Sequence, residues 1–495
     1  MTFVVNLPLF CVVACLLCAV TSSILRGTAA RIVSLCLTFC VCACSLLVLI
    51  YVNQSGNMTY LMGHYPHPWG NELRLGTLEA LFSAVFSAVL FLCMLGGRNQ
   101  LLRDLSQDKQ HLYYVMTDLI QAALLVLAYT NDIFTGYVFI EICTIASCGI
   151  LMIRQIGRTT LASVRYMIFS LIGSGLFLFG VVILYNITGQ LLMPNLKEAV
   201  AEIWQSGNFR VPLIASLSLI TIGLSIKSGL FPFHFWMPDT YGAATPCSSG
   251  ILSGLVSKGY IFFLIKIVFD VFGTEVFYGS GVQNIFYVFG VLGMVIGSVS
   301  AMRENDIFRM TAYSSAAQIG YIYMGIGISP TLGVTAALFH ILTHAVTKPS
   351  LFLSAAQLSD TAGRSKRFKD LQGSAHSNRL AGAAFAVGAF SMIGLPLTMG
   401  FISKYLFAIS AFHANVKLIP TLIALAVSTI LNTFYFTRTL IRLLNRPEGK
   451  EMKTVHLSQQ RTYAVSAIIL AAMNIAAGIA AQPLCDLLAK GLELF

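Results

Sequence analysis

Five ionisable side chains lie inside long apolar stretches of this sequence and are the residues best suited to chemistry there. They are Glu141, Lys227, Lys258, Lys348 and Lys404. A charge at the centre of a lipid bilayer costs at least about 2.5–3.5 kcal/mol on insertion scales, so each of these groups needs a partner or a function. Proton-exchanging groups that recur through apolar segments predict a proton relay.

One of these lysines belongs to a regular stripe. His340, His344 and Lys348 are spaced four residues apart, so a helix places them on one face at successive turns. Histidine exchanges protons near neutral pH, and burial brings a lysine closer to the same range. This stripe favours a proton path along the helix over three separate core residues.

The composition indicates a membrane protein, so the elements that position these residues are membrane-spanning helices. The 495 residues are 57% hydrophobic and 10% charged, whereas soluble proteins are about 25% charged. This excludes a soluble enzyme, a nucleic-acid binder and a secreted disulfide scaffold. The apolar runs predict an all-α polytopic membrane protein with fourteen transmembrane helices, at 7–25, 31–52, 77–96, 112–130, 132–153, 163–186, 211–231, 248–269, 281–301, 309–328, 331–358, 380–412, 416–441 and 462–481.

The basic residues predict how these helices are oriented. Of the 31 lysines and arginines, 21 lie in the odd-numbered connections and 6 in the even-numbered connections and the tails. Basic residues collect in cytoplasmic loops because they resist translocation. We therefore expect a multi-pass protein of the inner (cytoplasmic) membrane whose two termini both lie outside the cytoplasm.

Two of the predicted helices contain helix breakers in related sequences. The seventh span contains Gly-Leu-Phe-Pro at 229–232 and the twelfth contains Gly-Leu-Pro at 394–396, each with a lysine nearby. Because the two elements are five spans apart, a second copy of a five-helix unit enters the membrane from the opposite side. The sequence therefore predicts two inverted repeats between an N-terminal and a C-terminal part: spans 1–3 (1–96), spans 4–8 (112–270), spans 9–13 (281–441), and span 14 with its tail (462–495).

Further charged residues lie close to the ends of predicted spans. They are Glu79, Asp118, Asp132, Lys266 and Asp270. Amphipathic side chains near a span end can direct their charge toward the membrane surface. We expect interfacial or loop-tethering roles for this group.

The cysteines do not indicate a metal site. Seven of the twelve lie in the first two predicted spans, where no acidic or histidine ligands accompany them. Small, soft side chains of this kind allow two helices to approach closely. We predict packing roles for them, with neither a bound metal nor a cofactor, and we do not expect the chain to be catalytic by itself.

These motifs resemble a known family, the antiporter-like subunits shared by respiratory complex I, membrane-bound hydrogenases and Mrp-type cation/proton antiporters. The resemblance covers spans 4 to 13, and residues 229–250 look like the most specific stretch of the family. The segment from Asp132 to Glu141 is similar to the family's fifth-helix motif. The resemblance implies that Glu141 pairs with Lys227, that Lys258, His340, His344 and Lys348 relay protons, and that Lys404 ends the row.

A few positions narrow the subtype or depart from the pattern. Lys404 stands where the largest, distal subunit type has a glutamate, and 62–73 looks like the outer hairpin of the D-type component of Mrp antiporters. The D-type component is therefore the nearest resemblance. Gly76 departs from it, because that group usually has an aspartate there, and Phe308 stands where the family usually has a basic residue.

The predicted function is proton translocation along a midplane axis of glutamate, lysine and histidine, with exchange for Na⁺ left open. The expected partners are other antiporter-like and small membrane subunits of one complex, with or without a redox arm, together with the lipid bilayer, H⁺ and Na⁺. Nucleic acid is not among them.

Two other functions are open at this point. A single-chain carrier of an organic solute is expected to show parallel six-helix repeats, whereas this chain shows five-helix units. An inert structural subunit of an oxidoreductase would lose assembly on neutralisation of Lys227, whereas a channel would assemble and stop pumping.

Overall fold

The computed structural model describes residues 2–65, 70–445 and 454–493. Almost all of these residues are helical. The predicted outer hairpin, 62–73, lies partly outside the described residues, and the basic segment 446–453 lies wholly outside them.

The helices follow one another along the chain with short connections. Their bounds are α1 Thr2–Ile24, α2 Thr28–Ser55, α3 Thr77–Gly96, α4 Arg98–Asp104, α5 Gln110–Tyr129, α6 Ile133–Met152, α7 Gly157–Thr188, α8 Met193–Ser206, α9 Arg210–Ser228, α10 Met237–Ala243, α11 Pro246–Ile251, α12 Ser257–Ile267, α13 Gly273–Gly279, α14 Val282–Arg303, α15 Ile307–Ile328, α16 Leu332–Thr361, α17 Ser374–Ser377, α18 Arg379–Ile393, α19 Met399–Phe412, α20 Leu418–Leu444, α21 Arg461–Ile479 and α22 Ala481–Glu493.

The prediction of an all-helical polytopic protein is confirmed. Within the described residues, eleven helices are long and apolar enough to cross a membrane, and α18 and α19 are shorter apolar helices. Each of the fourteen predicted spans coincides with one helix or with a run of consecutive helices. The helices α15 and α16 are also long enough to cross a membrane, but they are less apolar than the eleven. Both contain serines and threonines, and α16 contains the His/His/Lys stripe.

A two-stranded antiparallel sheet marks one end of the bundle. It consists of β1 Met58–Leu61 and β2 Glu72–Leu75, with Met58 paired to Leu75 and Leu61 to Glu72. We call this end the hairpin face. The opposite end, which carries the connections 97–109 and 362–373, is the basic face.

Both predicted helix breaks are present. Helix α9 ends at Ser228, where Gly229 takes a left-handed conformation with φ 81° and donates its N–H to the carbonyls of Ser225 and Ile226. Helix α18 ends at Ile393 with Gly394 at φ 91°. Glycine adopts this conformation without the steric cost that a Cβ brings, so the local sequence explains where each helix stops.

The eighth span also departs from regular α-helix. Two π-helical segments, Leu252–Val256 and Val268–Phe272, flank α12. Such segments are rare and recur at functional sites. A Cβ at Gly254 would lie 2.8 Å from Cγ of Pro349 in α16, so the glycine allows the eighth and eleventh spans to meet closely.

Among the charged residues near span ends, Glu79, Asp118, Lys266 and Asp270 do not direct their own charges to the membrane surface. All four side chains are buried within the bundle. Depth along a helix can be read from the sequence, but the neighbouring helices that enclose its end cannot. Glu79 and Asp270 do pair with Arg74 of β2, which ties the hairpin strand to the helices. The fifth residue of that group, Asp132, caps α6 by accepting a hydrogen bond from the Thr135 N–H, which is a local role at the start of the helix.

Candidate functional site

A buried ion pair joins α6 to the end of α9. Lys227 Nζ lies 3.3 Å from Oε1 of Glu141 and donates a 2.8 Å hydrogen bond to Thr144 Oγ1. The Ser174 hydroxyl also donates to Glu141. The lysine side chain is fully buried, whereas that of the glutamate is 24% exposed on the side of the bundle.

The approach of α7 and α9 at this pair depends on glycine. A Cβ at Gly173 would lie 2.7 Å from the carbonyl oxygen of Gly223 and 3.0 Å from Cγ of Lys227. Any larger residue at Gly173 would push the two helices apart. The glycines therefore hold Lys227 against α6, within reach of Glu141.

A buried tyrosine lies beside this pair on α12, the helix that also carries Lys258. Thr144 lies 3.4 Å from the Tyr260 hydroxyl, and Lys227 Nζ lies 5.7 Å from the centre of the Tyr260 ring. Lys258 itself is fully buried and donates to the carbonyl of Ser253 (2.6 Å) and to Ser257 Oγ (2.9 Å). The π-helical segment before α12 supplies that carbonyl.

Lys348 reaches a neighbouring group of hydroxyls on α15. Its Nζ donates to the Thr311 carbonyl at 3.0 Å and to Ser314 Oγ. The next residue, Ser315, lies 2.8 Å from Ser253 Oγ, measured between the two hydroxyl oxygens. The serines of α15 thus connect the surroundings of Lys258 with those of Lys348.

The two histidines of the stripe differ in their partners. His340 Nδ1 is 2.7 Å from Ser403 Oγ, whereas its Nε2 and both ring nitrogens of His344 are buried without a hydrogen-bond partner in the described residues. The two ring centroids are 6.4 Å apart, and His340 stacks on Tyr321 at 5.4 Å. Buried polar atoms are normally satisfied by protein or by ordered water, so this spacing suits bridging water.

Lys404 ends the row at the second helix break. Its Nζ donates to the Ile393 carbonyl at 2.6 Å and to Thr429 Oγ1 at 3.1 Å. The last carbonyls of a helix have no partner inside that helix, so the end of α18 supplies an acceptor. Tyr321 lies beside this lysine as well, with its ring centre 5.7 Å from Nζ.

The structure therefore brings Glu141 and Lys227 into contact and places Lys258, His340, His344, Lys348 and Lys404 near one another. We call these seven residues, which lie between the two broken spans, the row. The sequence analysis missed the side chains that contact them: the hydroxyls of Thr144, Ser174, Ser257, Ser314, Ser403 and Thr429, and the rings of Tyr260 and Tyr321. Adjacent or near-adjacent serines at 253 and 257, at 314 and 315, and just before Lys404 were a signal for some of these. The tyrosines come from neighbouring helices and carried no such signal.

This fold and this row define a polytopic membrane subunit with a chain of buried ionisable groups. Residues 130–431 match the family described as NADH:quinone oxidoreductase/Mrp antiporter, TM. The chain belongs to this family. The match begins just before α6 and ends within α20, so it contains all seven residues of the row.

Individual relatives point to the same family. The chain is 32% identical over 386 residues to the N-type subunit of NADH-quinone oxidoreductase from Desulforudis audaxviator, covering 77% of this chain and 74% of the relative. It is 27% identical over 448 residues to the D-type component of a Na(+)/H(+) antiporter from Alkalihalophilus pseudofirmus, covering 89% and 87%. A protein of the Mrp complex from Dietzia shares the fold with a TM-score of 0.86 at 22% identity, covering 99% of this chain and 97% of that one.

Proposed function

We propose that this protein is a proton-translocating subunit of a multi-subunit membrane complex. The observation that carries the proposal is the set of buried ionisable groups from the Glu141–Lys227 ion pair through lysines and histidines to Lys404, all but His344 held by hydroxyls or carbonyls. Groups of this kind inside a membrane mark ion pathways and proton relays.

The drive we propose is electrostatic. Two unit charges about 6 Å apart interact by about 3 kcal/mol at an effective dielectric constant near 20, which changes a protonation equilibrium about a hundredfold. When Glu141 moves away from Lys227 or takes up a proton, Lys227 loses its counter-charge and repels the next cation. Protons then move along the row toward Lys404.

Water completes the row where side chains do not touch. His344 has no described hydrogen-bond partner at either nitrogen, and it lies within electrostatic reach of Lys258, Lys348 and His340. A single water between neighbouring groups would satisfy these nitrogens and carry a proton between them. The two broken helices would admit this water from opposite sides of the membrane.

The partly exposed Glu141 supports a lateral coupling to another subunit. Its side chain reaches the surface of the bundle, whereas Lys227, Lys258 and the stripe are enclosed. The relatives include subunits of a quinone oxidoreductase and of a Na(+)/H(+) antiporter. We propose partners of that kind for this chain, with Na⁺ exchange in an antiporter setting, and we keep the D-type component as the nearer resemblance.

We also propose the orientation and the repeats. Placing the basic face in the cytoplasm and both termini outside follows the distribution of basic residues. Thiol labelling of single cysteines in a background without native cysteines should modify 364–379 from the cytoplasm and 63–71 from outside. Labelling of each segment from the opposite side would contradict the proposed orientation. The division into two inverted five-helix repeats, spans 4–8 and 9–13, agrees with one broken span in each.

The deciding experiment compares K227A with a matched lysine variant in the reconstituted complex. Lys490 is exposed on α22, so K490A removes a lysine without touching the row. We expect K227A to assemble and to lose proton movement, measured with a pH-sensitive dye in vesicles, while K490A retains both. Loss of assembly in K227A would favour an inert structural subunit. Uptake of an organic solute that K227A leaves intact would favour a carrier.

A further inference from the structure

A second buried carboxylate lies outside the row described above, in the part of the bundle formed by α1, α2, α3 and α5. Asp118 is fully buried, and Ser34 and Ser22 donate to its two oxygens at 2.5 and 3.4 Å. Among the described residues no lysine, arginine or histidine forms an ion pair with it. A carboxyl in such surroundings is suited to hold a proton, because no cation stabilises its charge.

Further polar residues continue from Asp118 along one face of α5. Gln121 follows one turn later and Tyr129 two turns after that, so the three side chains fall on one side of the helix. Both are buried; the Gln121 amide atoms have no described hydrogen-bond partner, and the Tyr129 hydroxyl lies beside the Ser83 hydroxyl of α3. The distance from Asp118 to Tyr129 along the helix is about 16 Å, half the thickness of the hydrocarbon core.

The facing side of α3 carries a matching series. Glu79, Ser83 and Ser87 are spaced four residues apart and are all buried. Ser83, Ser87 and Gln121 line a small cavity whose other walls are apolar, formed by Phe86, Leu90, Leu124 and Leu125. The Ser83 hydroxyl lies beside that of Tyr129. The water-accessible volume of this cavity is about 10 Å³, which is close to the space that one ordered water needs.

A group of four charges connects this series to the hairpin face. Glu79 lies 3.4 Å from Lys266 Nζ and 3.6 Å from Nε of Arg74, which in turn lies 2.7 Å from Asp270. The Arg74 side chain is 15% exposed, so the group reaches the surface at that end. Lys266 is on α12, two turns beyond Lys258, which brings this group close to the main row.

We propose that these residues form a second hydrated proton path, from the Glu79 charge group through Tyr129, Ser83 and Gln121 to Asp118. A purely structural polar core would have its members bonded to one another. Here the amide of Gln121 has no described partner, and it borders with Ser83 a cavity close to the size of one water. The series lies between the Glu79 charge group, which reaches the hairpin face only through Arg74, and the carboxyl of Asp118, which has no described ion pair.

This inference rests on the proposed function, and the experiment separates the two. Proton movement is measured in the reconstituted complex for D118N and Q121L, with S466A as the control, because Ser466 is also buried without a described partner but lies on α21. We expect D118N and Q121L to assemble and to slow proton movement about fivefold, since D118N removes the carboxyl that can hold a proton and Q121L removes the hydrogen-bonding amide. We expect S466A to leave the rate unchanged.

K227A serves as the reference. If K227A stops transport while D118N and Q121L run at the normal rate, the second path is wrong and the proposed function stands. If K227A transports normally, the proposed function is wrong. If D118N impairs only the Na⁺-dependent part of transport, the site binds an alkali cation and the proton path is wrong.

A structural measurement on the unmodified complex tests the inference even if the variants fail to assemble. A high-resolution electron microscopy map of the unmodified complex should show ordered water between Gln121 and the Ser83 and Ser87 hydroxyls. A dry cavity at that position would overturn the inference without any variant.

Discussion

The two broken spans hold their lysines in opposite electrostatic surroundings. In the first, Lys227 has an acid within 3.3 Å, Glu141. In the second, Lys404 is held by a backbone carbonyl and by Thr429, and no described carboxylate forms an ion pair with it. The same contrast extends to Lys348, whose partners are a carbonyl and a serine.

This difference gives different roles to the two halves of the row, the first around Lys227 and the second around Lys348 and Lys404. An ion pair in a low-dielectric interior holds both charges in place, whereas unpaired cations near one another cannot all stay charged. Making or breaking the Glu141–Lys227 pair therefore controls whether the charge of Lys227 is balanced. The second half, which has no acid of its own among the described residues of the row, is suited to respond by releasing or taking up protons.

The largest expected effect comes from removing the acid on which this contrast depends. E141Q keeps the shape of the side chain but removes the charge that balances Lys227, so proton movement should fall by at least about a hundredfold. The measurement is dye-detected proton flux in reconstituted vesicles, with assembly checked by co-purification.

The matched control for this variant is E202Q, because Glu202 is exposed on α8 and distant in sequence from the row. It should behave like the unmodified protein. Near-normal flux in E141Q would mean that the two halves do not differ in the way proposed.

The sequence was sufficient for the fold and for the ionisable residues, for a simple physical reason. A charge in a long apolar run is conspicuous, because insertion into a membrane selects strongly against it. Gly and Pro in such a run are equally conspicuous. The seven residues and both helix breaks therefore came from the sequence itself, together with the resemblance.

What the sequence did not predict are the partners contributed by other helices. The hydroxyl of Ser403 meets His340 across 63 positions of the chain, and that of Ser34 meets Asp118 across 84. Serine and threonine are common in membrane helices and carry no distinctive signal. For the same reason Asp118 and Glu79 were assigned to the surface, since only the packing of α1, α2 and α3 encloses them.

The next effect tests the second half directly. K404A should reduce proton flux about thirtyfold and should be more damaging than K404E, because a group of either sign can hold a proton at the end of the row and a methyl group cannot. Initial rates of flux for the two variants in one vesicle preparation make the comparison. Equal rates would show that Lys404 is not the terminal relay.

A smaller effect is expected within the stripe. H340A should slow transport about tenfold and H344A less, because water can fill the space that His344 leaves. If the two histidines form one path, the double variant costs less in activation free energy than the sum of the single variants. Additive losses in the three flux measurements would mean that they act separately, and the path would then run through Lys258 and Lys404.

The smallest effect is expected from removing the hydrogen bond that orients the imidazole ring of His340. Ser403 Oγ lies 2.7 Å from Nδ1 of His340 and 3.5 Å from the Gly400 carbonyl. This prediction takes the His340 tautomer in which Nδ1–H donates to Ser403 while the serine donates to that carbonyl. The proton is then on Nδ1, and Nε2 is available to accept one from the stripe. S403A removes this orienting bond but no titratable group, so flux should fall only about threefold, the effect of one neutral hydrogen bond. S403T keeps the hydroxyl and should restore most of the rate. If S403A were as damaging as H340A, the serine would itself carry protons, and the second half would depend on its hydroxyls as much as on its cations.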